Sequence, residues 1–422
     1  MLISYKFNNV FSFNQEAEFT MLAPATKVKN RFPNSYNALE NGYNILKSAV
    51  IVGENAGGKS NFVNSISYFI SFFTKSDSVS TYKSTINNNN IDGECPRKSD
   101  TNQEFEIELT NDAGVIYKYC LSIDFLGIVE ERFYYKKNKT AKYEIVVSVK
   151  RTEDNFECDY DEGVCEKEGC SLSGSMAYEI AIQKSNKELK NMLEASVDNG
   201  TTIGLFVTKM ALLGNKEAID FINIVKNNLC PESNPLNYDL FMSIRNEKNY
   251  LDILNTQEFF EIFRMVDYSI YKIDVDEEKP FIDTRIYRKK RDGGTFERKI
   301  GADSSGVREF FAWAIQIYRV VYENKTVIAD EMDRVLNPIL SDRVIAFING
   351  KKHMGQFIFT SHNILHLDLK NYMKEQIYFI TKDVESLESE LYSLADFPEV
   401  RYETTKIYEF YMKGILGGTA IE

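Results

Sequence analysis

The stretch from Asn44 to Phe62, NILKSAVIVGENAGGKSNF, constrains this chain more than any other. Ser48 to Val52 is a short apolar, partly β-branched run, the pattern of a buried strand. Gly53-Glu54-Asn55-Ala56-Gly57-Gly58-Lys59-Ser60 meets the spacing G-x-x-x-x-G-K-[ST] without a mismatch. From Asn61 onward, NFVNSISYFISFF is apolar at helical spacing. A chance glycine-rich turn would account for the eight residues but not for a strand before them and a helix after them, the context of a phosphate-binding loop. Its glycines let consecutive backbone N–H groups point inward at an anion, and the helix N-terminus adds partial positive charge. The nucleotide-binding stretch expected here is Gly53, Asn55, Gly57, Gly58, Lys59, Ser60 and Asn61. Lys59 is placed to reach the β- and γ-phosphates of ATP, and Ser60 to hold Mg²⁺.

A phosphate-binding loop needs a second half, and the C-terminal region supplies candidates. Thr326-Val327-Ile328-Ala329 is a buried-strand run ending in Asp330-Glu331, the form of a Walker B strand. Asp330 is the expected second metal ligand and Glu331 the expected general base for an attacking water. About 25 residues upstream, Gly301 to Trp313 is a small-residue loop opening an apolar helix, in which Ser305 and Gly306 form a second candidate anion site. A plain N-cap at Ser304 or Ser305 explains the same residues equally well. One chain cannot easily point both helix N-termini at one γ-phosphate, so the pattern suits a head-to-tail dimer. Phe357 to Thr360 is a further strand, leading through Ser361 to His362, where a histidine can bond a γ-phosphate or the lytic water. His353 and His366 are weaker candidates.

The rest of the chain is read around these motifs. With 422 residues it exceeds one typical domain, and 43% hydrophobic residues suffice for a substantial core. A net charge of −12 argues against indiscriminate coating of DNA but leaves room for a local basic groove. No signal peptide is seen and no apolar run reaches the ~18 residues of a membrane span, so a cytoplasmic, membrane-free protein is expected. The six cysteines are expected as reduced thiols. Cys158, Cys165 and Cys170 cluster, but without C-x-x-C spacing or a histidine nearby in sequence, which leaves little for zinc.

Met1 to Phe19 reads as an edge strand or hairpin, Thr20 to Gly42 as loop, and Ser76 to Asn102 as a polar surface loop. Glu104 to Lys150 alternates in four runs, an antiparallel meander. Arg151 to Ser175 is acidic and loop-like, and Met176 to Ile244 reads as helical, as does Phe259 to Val266. Strands return at SIYKIDVD, FIDTRIYRKK and TFERKIGA, the last two joined as a hairpin by Asp292-Gly293-Gly294. The domains expected are 1–150, an N-terminal lobe with the P-loop and meander; 151–270, a mainly helical insertion; and 271–422, a C-terminal lobe. Arg285, Arg288, Lys289, Lys290, Arg291, Arg298 and Lys299 put seven cations within fifteen residues, a candidate nucleic-acid contact or a solvated hairpin balancing acidic neighbours.

P-loop, small-residue loop, Walker B with Asp-Glu and switch histidine, in that order, resemble the ABC-type ATPase heads of the SMC/RecF class. More narrowly, the P-loop stretch, DSSGVREFFAW, VIADEMDRVLNPIL, FTSHNILHLD and the tail EQIYFITKD…SELYSLADFPEVR…YMKGILGG resemble the stand-alone ATPases of the RloA/AbiLi group, relatives of the OLD-family nucleases. Gly57, Asp303 to Val307 and Asn337-Pro338 depart from that group's usual residues without removing a γ-phosphate or metal ligand, and the tail GILGGTAIE departs at a partner contact. The resemblance implies an α/β fold: an ABC-type P-loop ATPase head with an antiparallel β subdomain and a helical insertion. It implies ATP and Mg²⁺ as cofactors, a homodimer or higher oligomer, and a role in antiphage defence by abortive infection. About 60 residues follow His362, too few for the Toprim nuclease domain of the OLD proteins, so an effector, a Toprim-like or other nuclease, is expected in trans. Gln103 is a candidate for the Q-loop. Two rivals remain: a slow-turnover scaffold locked by nucleotide around an inactive effector, and a RecF-like DNA-repair ATPase.

Overall fold

The computed structural model describes residues 1–74, 102–124, 127–157, 173–182, 191, 204–232, 248–332, 338–362, 367–383, 385–402 and 406–416. Its central layer is a parallel sheet of β5 (Ser48–Gly53), β11 (Leu229–Glu232), β15 (Thr326–Ala329), β16 (Gln356–Ser361) and β17 (Ile377–Lys382), in the order β11-β15-β16-β5-β17. β18 (Ser389–Ser393) closes the far edge antiparallel to β17. Every residue of β5, β15 and β16 is buried, because a parallel sheet is covered on both faces. The two-residue side-chain period then sorts each strand between two cores. Ala49, Ile51 and Ile358 enter one hydrophobic cluster, while Val50, Val52, Phe357 and Phe359 enter the other.

The first cluster lies under an antiparallel sheet of β1 (Leu2–Asn8), β2 (Ala17–Thr20), β6 (Gln103–Thr110), β7 (Ile116–Ile123), β8 (Ile128–Lys136), β9 (Glu144–Glu157) and β10 (Ser173–Ile182), ordered β10-β9-β8-β7-β6-β1-β2. On β6, Phe105, Ile107 and Leu109 face in while Glu104, Glu106 and Glu108 face out, the alternation of a sheet with one wet side. Between the two sheets lies helix α1 (Lys59–Thr74), whose Phe69 ring meets Tyr5, Phe105 and Tyr119 at 6.1, 5.8 and 6.1 Å. α2 (Phe206–Leu212) and α3 (Lys216–Asn228) complete this core, Phe221 of α3 lying 4.9 Å from Phe133. Asn215 caps α3 by accepting from Ala218 N at 2.9 Å.

The opposite face is covered by α4 (Lys248–Leu254), α5 (Gln257–Phe263), α6 (Ser305–Glu323) and α7 (Pro338–Gly350). Phe259 and Phe263 stand nearly perpendicular to Phe311 on α6, at 5.2 and 5.1 Å. A small sheet of β12 (Ile270–Asp274), β13 (Arg285–Lys289) and β14 (Thr295–Lys299) flanks the N-terminal end of α6, and the 292–294 turn makes its hairpin as expected, with Lys290 N donating to Gly294 O at 2.7 Å. α8 (Ile407–Met412) rests Tyr411 on Phe379 of β17.

The expected α/β architecture is present, and three local readings need correction. The segment read as loop and then helix carries strand instead: β9 continues to Glu157 and β10 runs from Ser173 to Ile182, antiparallel to β9 with one register shift between Ala177 and Tyr178. The 20–42 loop contains β3 (Tyr36–Ala38), paired with β4 (Asn44–Leu46). β11 emerges inside the helical region as an edge strand of the parallel sheet. Pro231 is tolerated there because an edge strand can do without one ladder N–H. The stretch KELKNMLEA, apart from residue 191, lies outside the described residues, as do Ser76 to Thr101, Cys158, Cys165, Cys170, Asn337 and His366. Cys120 and Cys230 are free thiols. Among the described residues no cluster of His, Cys, Asp and Glu could hold a metal by itself, and no helix is long and apolar enough to cross a membrane.

Candidate functional site

Because β5, β16 and β15 are parallel neighbours, their C-terminal ends lie along one edge of the sheet. Ser361 pairs with Val52 on one side, and Phe359 with Ala329 on the other. With strands ~4.8 Å apart, the P-loop, His362 and Asp330-Glu331 stand in a row, His362 following the middle strand. This is where open α/β sheets hold ligands.

The loop geometry explains its glycines. A Cβ on Gly53 would lie 2.2 Å from Ile380 O, so only glycine lets β5 and β17 close at that point. Ala56 and Gly58 have φ of 62° and 114°, left-handed turns that curl the backbone. Asn55 and Ser60 are exposed, while Lys59 is buried and its Nζ donates to Gly53 O at 2.9 Å and Glu54 O at 2.7 Å. Lys59 therefore lies across its own loop. The loop is also latched from outside. Asn61 Nδ2 donates to Ser12 Oγ (2.7 Å), and Ser389 Oγ lies 2.7 Å from Ser12 Oγ and 2.8 Å from Gly57 O. Ser389 N donates to Ser12 O at 2.7 Å. Nothing in the spacing of the sequence points to Ser12 or Ser389.

Asp330 is buried at the end of β15 and accepts a 2.6 Å bond from Thr360 Oγ1. The same hydroxyl accepts from Glu331 N at 2.7 Å. Glu331 has a φ of 50°, uncommon for a residue with a side chain, and its Oε1 lies 3.6 Å from His362 Nε2, a contact longer than a hydrogen bond. Thr360, fully buried between the two motifs, is a site residue that motif spacing did not single out. The donor set fits nucleotide with Mg²⁺: backbone N–H groups and a lysine for phosphate, a serine hydroxyl and a carboxylate as hard oxygen ligands.

The second loop resolves the choice between its serines. Ser304 is the N-cap of α6, its Oγ 3.4 Å from Val307 N, and Ser305 is the exposed first helical residue, followed by half-buried Gly306. The turn is tied to the small sheet by Arg288, which contacts Asp303 at 2.8 Å and Asp267 at 2.7 Å. Burial works against the Asp267 carboxylate, but bonds from Ser269 and Arg288 outweigh it and hold its pKa below the ordinary value. In the basic hairpin, Arg285 pairs with Glu297 and Lys299 with Asp283. Three of the seven cations are thus engaged by carboxylates, and Lys289, Lys290 and Arg291 stand exposed at its tip.

Two minor candidates are held by neighbouring backbone carbonyls. Gln103 is buried, its Nε2 donating to Asn9 O at 3.0 Å and its Oε1 accepting from Tyr68. His353 is buried against Ile348 O at 2.8 Å, and burial lowers its pKa.

A family model described as "AAA domain, putative AbiEii toxin, Type IV TA system" matches residues 48–368. No curated protein matches the chain. Solved structures with similarity include the SMC head domain from Thermotoga maritima, at 12% identity and a TM-score of 0.39 over 93% of this chain and 98% of that one. The Smc head with an extended coiled coil bound to the C-terminal domain of ScpA, from Pyrococcus furiosus, gives 14% and 0.40 over 93% and 96%. The Smc head with a coiled coil and joint from Pyrococcus yayanosii gives 13% and 0.40 over 97% and 99%. TM-scores this low add nothing to the strand order and the motifs.

Proposed function

The chain belongs to the family of AAA domains described as putative AbiEii toxins of type IV toxin–antitoxin systems, and from that premise we propose that it hydrolyses ATP in a head-to-tail dimer and thereby gates a separate effector. The observation that supports this best is the single sheet edge carrying the P-loop, His362 and Asp330-Glu331 on adjacent parallel strands. In this reading Gly53 to Asn61 cradle the phosphates through backbone N–H groups, with Lys59 leaving its loop carbonyls for the β- and γ-phosphates. Ser60 and Asp330 hold Mg²⁺, which when bound offsets phosphate charge. Glu331 takes the proton of the attacking water and His362 bonds the γ-phosphate, side by side as their 3.6 Å contact already sets them.

Exposed Ser305, at the N-terminus of a 19-residue helix, serves the partner's phosphate rather than its own. The effector proposed is a nuclease supplied in trans, in antiphage defence of the abortive-infection kind. Nucleic-acid contact is assigned to the hairpin tip, Lys289 to Arg291, rather than to its whole length.

The experiment is ATP hydrolysis per subunit across a wide protein concentration range, with Lys59→Ala and Glu331→Gln as controls. The expected result is a specific rate that climbs with concentration, abolished by either control. Mixing Lys59→Ala with Ser305→Arg chains should restore one working site per dimer. Wild-type turnover by Glu331→Gln would refute the catalytic assignment, and failure of the mixture to regain any rate would refute the shared site.

A further inference from the structure

We propose that Thr360 is a positioning residue that sets the metal carboxylate and the general base together, through one hydroxyl. This deepens the ATPase reading above and rests on it. Thr360 is fully buried on β16, the strand between the P-loop strand and the Asp330 strand. Its proton goes to Asp330 Oδ1 (2.6 Å) and its lone pair receives Glu331 N–H (2.7 Å).

Two consequences follow from donor and acceptor counting. One oxygen of Asp330 accepts a short charge-assisted bond, which fixes the carboxylate plane and leaves Oδ2 as the oxygen that would face Mg²⁺. The backbone of Glu331 is held in its left-handed conformation (φ 50°), which costs a residue with a side chain and persists only where its surroundings fix it. That turn aims the Glu331 carboxylate toward His362. A valine at 360 fills the same volume but offers neither donor nor acceptor, leaving a buried carboxylate oxygen and a backbone N–H without their bonds.

The test compares Thr360→Val and Thr360→Ser with the wild type in the full chain. Mn²⁺ binding to the ADP-loaded protein is followed by electron paramagnetic resonance, ADP affinity is measured in EDTA, and kcat and KM are measured with Mg²⁺. The valine variant should weaken Mn²⁺ binding and lower kcat, each by ~10- to 100-fold, with metal-free ADP affinity and KM within about twofold of wild type, and the serine variant should restore both. Wild-type Mn²⁺ affinity and kcat in Thr360→Val would overturn the proposal, as would a serine variant as defective as valine, which would point to the methyl group's packing. If the valine variant does not fold, Thr360→Cys, of similar volume with only a weak donor, is read by the same outcomes. A wild-type protein that binds no Mn²⁺ with ADP would refute the ATPase reading itself and not the role of Thr360 within it.

Discussion

Gly58→Ala tests whether the P-loop is held by its own backbone alone or also by the serine latch across the molecule. At a φ of 114° an alanine is strained, by ~1–3 kcal/mol for such a position. The new methyl would also lie 2.3 Å from Ser389 Oγ and 2.9 Å from Ser389 Cβ. Rotating the hydroxyl away relieves only the first contact, and it breaks both the bond that Ser389 Oγ donates to Gly57 O and the bond it shares with Ser12 Oγ, about 1 kcal/mol each. The whole cost is then about 4 kcal/mol, half strain and half lost latch. Ser389→Gly removes the same two bonds and the obstruction, at about 2 kcal/mol. In the double variant the latch can be lost only once, so its cost should equal that of Gly58→Ala, giving a coupling of about 2 kcal/mol. Urea unfolding of the four proteins measures this cycle. Additivity within about 0.5 kcal/mol would refute the latch and leave Ser389 a bystander.

Two further outcomes are expected. Glu131 is fully buried, its oxygens accepting from Phe206 N and Val207 N at 2.7 and 2.8 Å, and burial pushes its pKa up from 4.5 to about 7. A raised carboxylate favours the folded state while protonated, so stability should fall between pH 4.5 and about 7, by about 3 kcal/mol, and then level off. Unfolding of Glu131→Gln should lack that slope, and an equal slope in the variant would place the titration elsewhere. At the hairpin tip, replacing Lys289, Lys290 and Arg291 with serine should flatten the log–log salt dependence of DNA or RNA binding by about 2–3, read by fluorescence anisotropy; an unchanged slope removes nucleic acid from that surface.

The parts of this molecule legible in its sequence are those whose physics is local. β5, β15 and β16 are buried on both faces, so each carries an apolar run at its centre, and each leads into its chemistry: Gly53, Asp330 and, one residue beyond Ser361, His362. The hairpin at 292–294 was legible for the same reason, since Asp-Gly-Gly fixes the turn without help from elsewhere. β10 was not. Tyr178, Ile180 and Ile182 pack on the core while Glu179 and Ala181 are exposed, and so short an alternation beside an acidic stretch is easily taken for the start of a helix. β11 was also missed, because LCPE forms a strand only through its parallel pairing with β15 across nearly a hundred residues.

The site shows the same division more sharply. Motif spacing finds the groups that meet the nucleotide, since phosphate and metal chemistry demand those residue types in that order. It does not find Ser12, Ser389 or Thr360, whose roles come from partners 377, 332 and 30 positions away. A serine or threonine in a strand or turn has an ordinary structural use at nearly every position, so its residue type carries no signal until the sheet order supplies its neighbour. The parallel order places β16 between the two motif strands, and that placement alone turns a common strand threonine into the group bonded at once to Asp330 and Glu331. Reactive groups are written in this sequence, whereas the groups that hold them at their working angles are written in the topology.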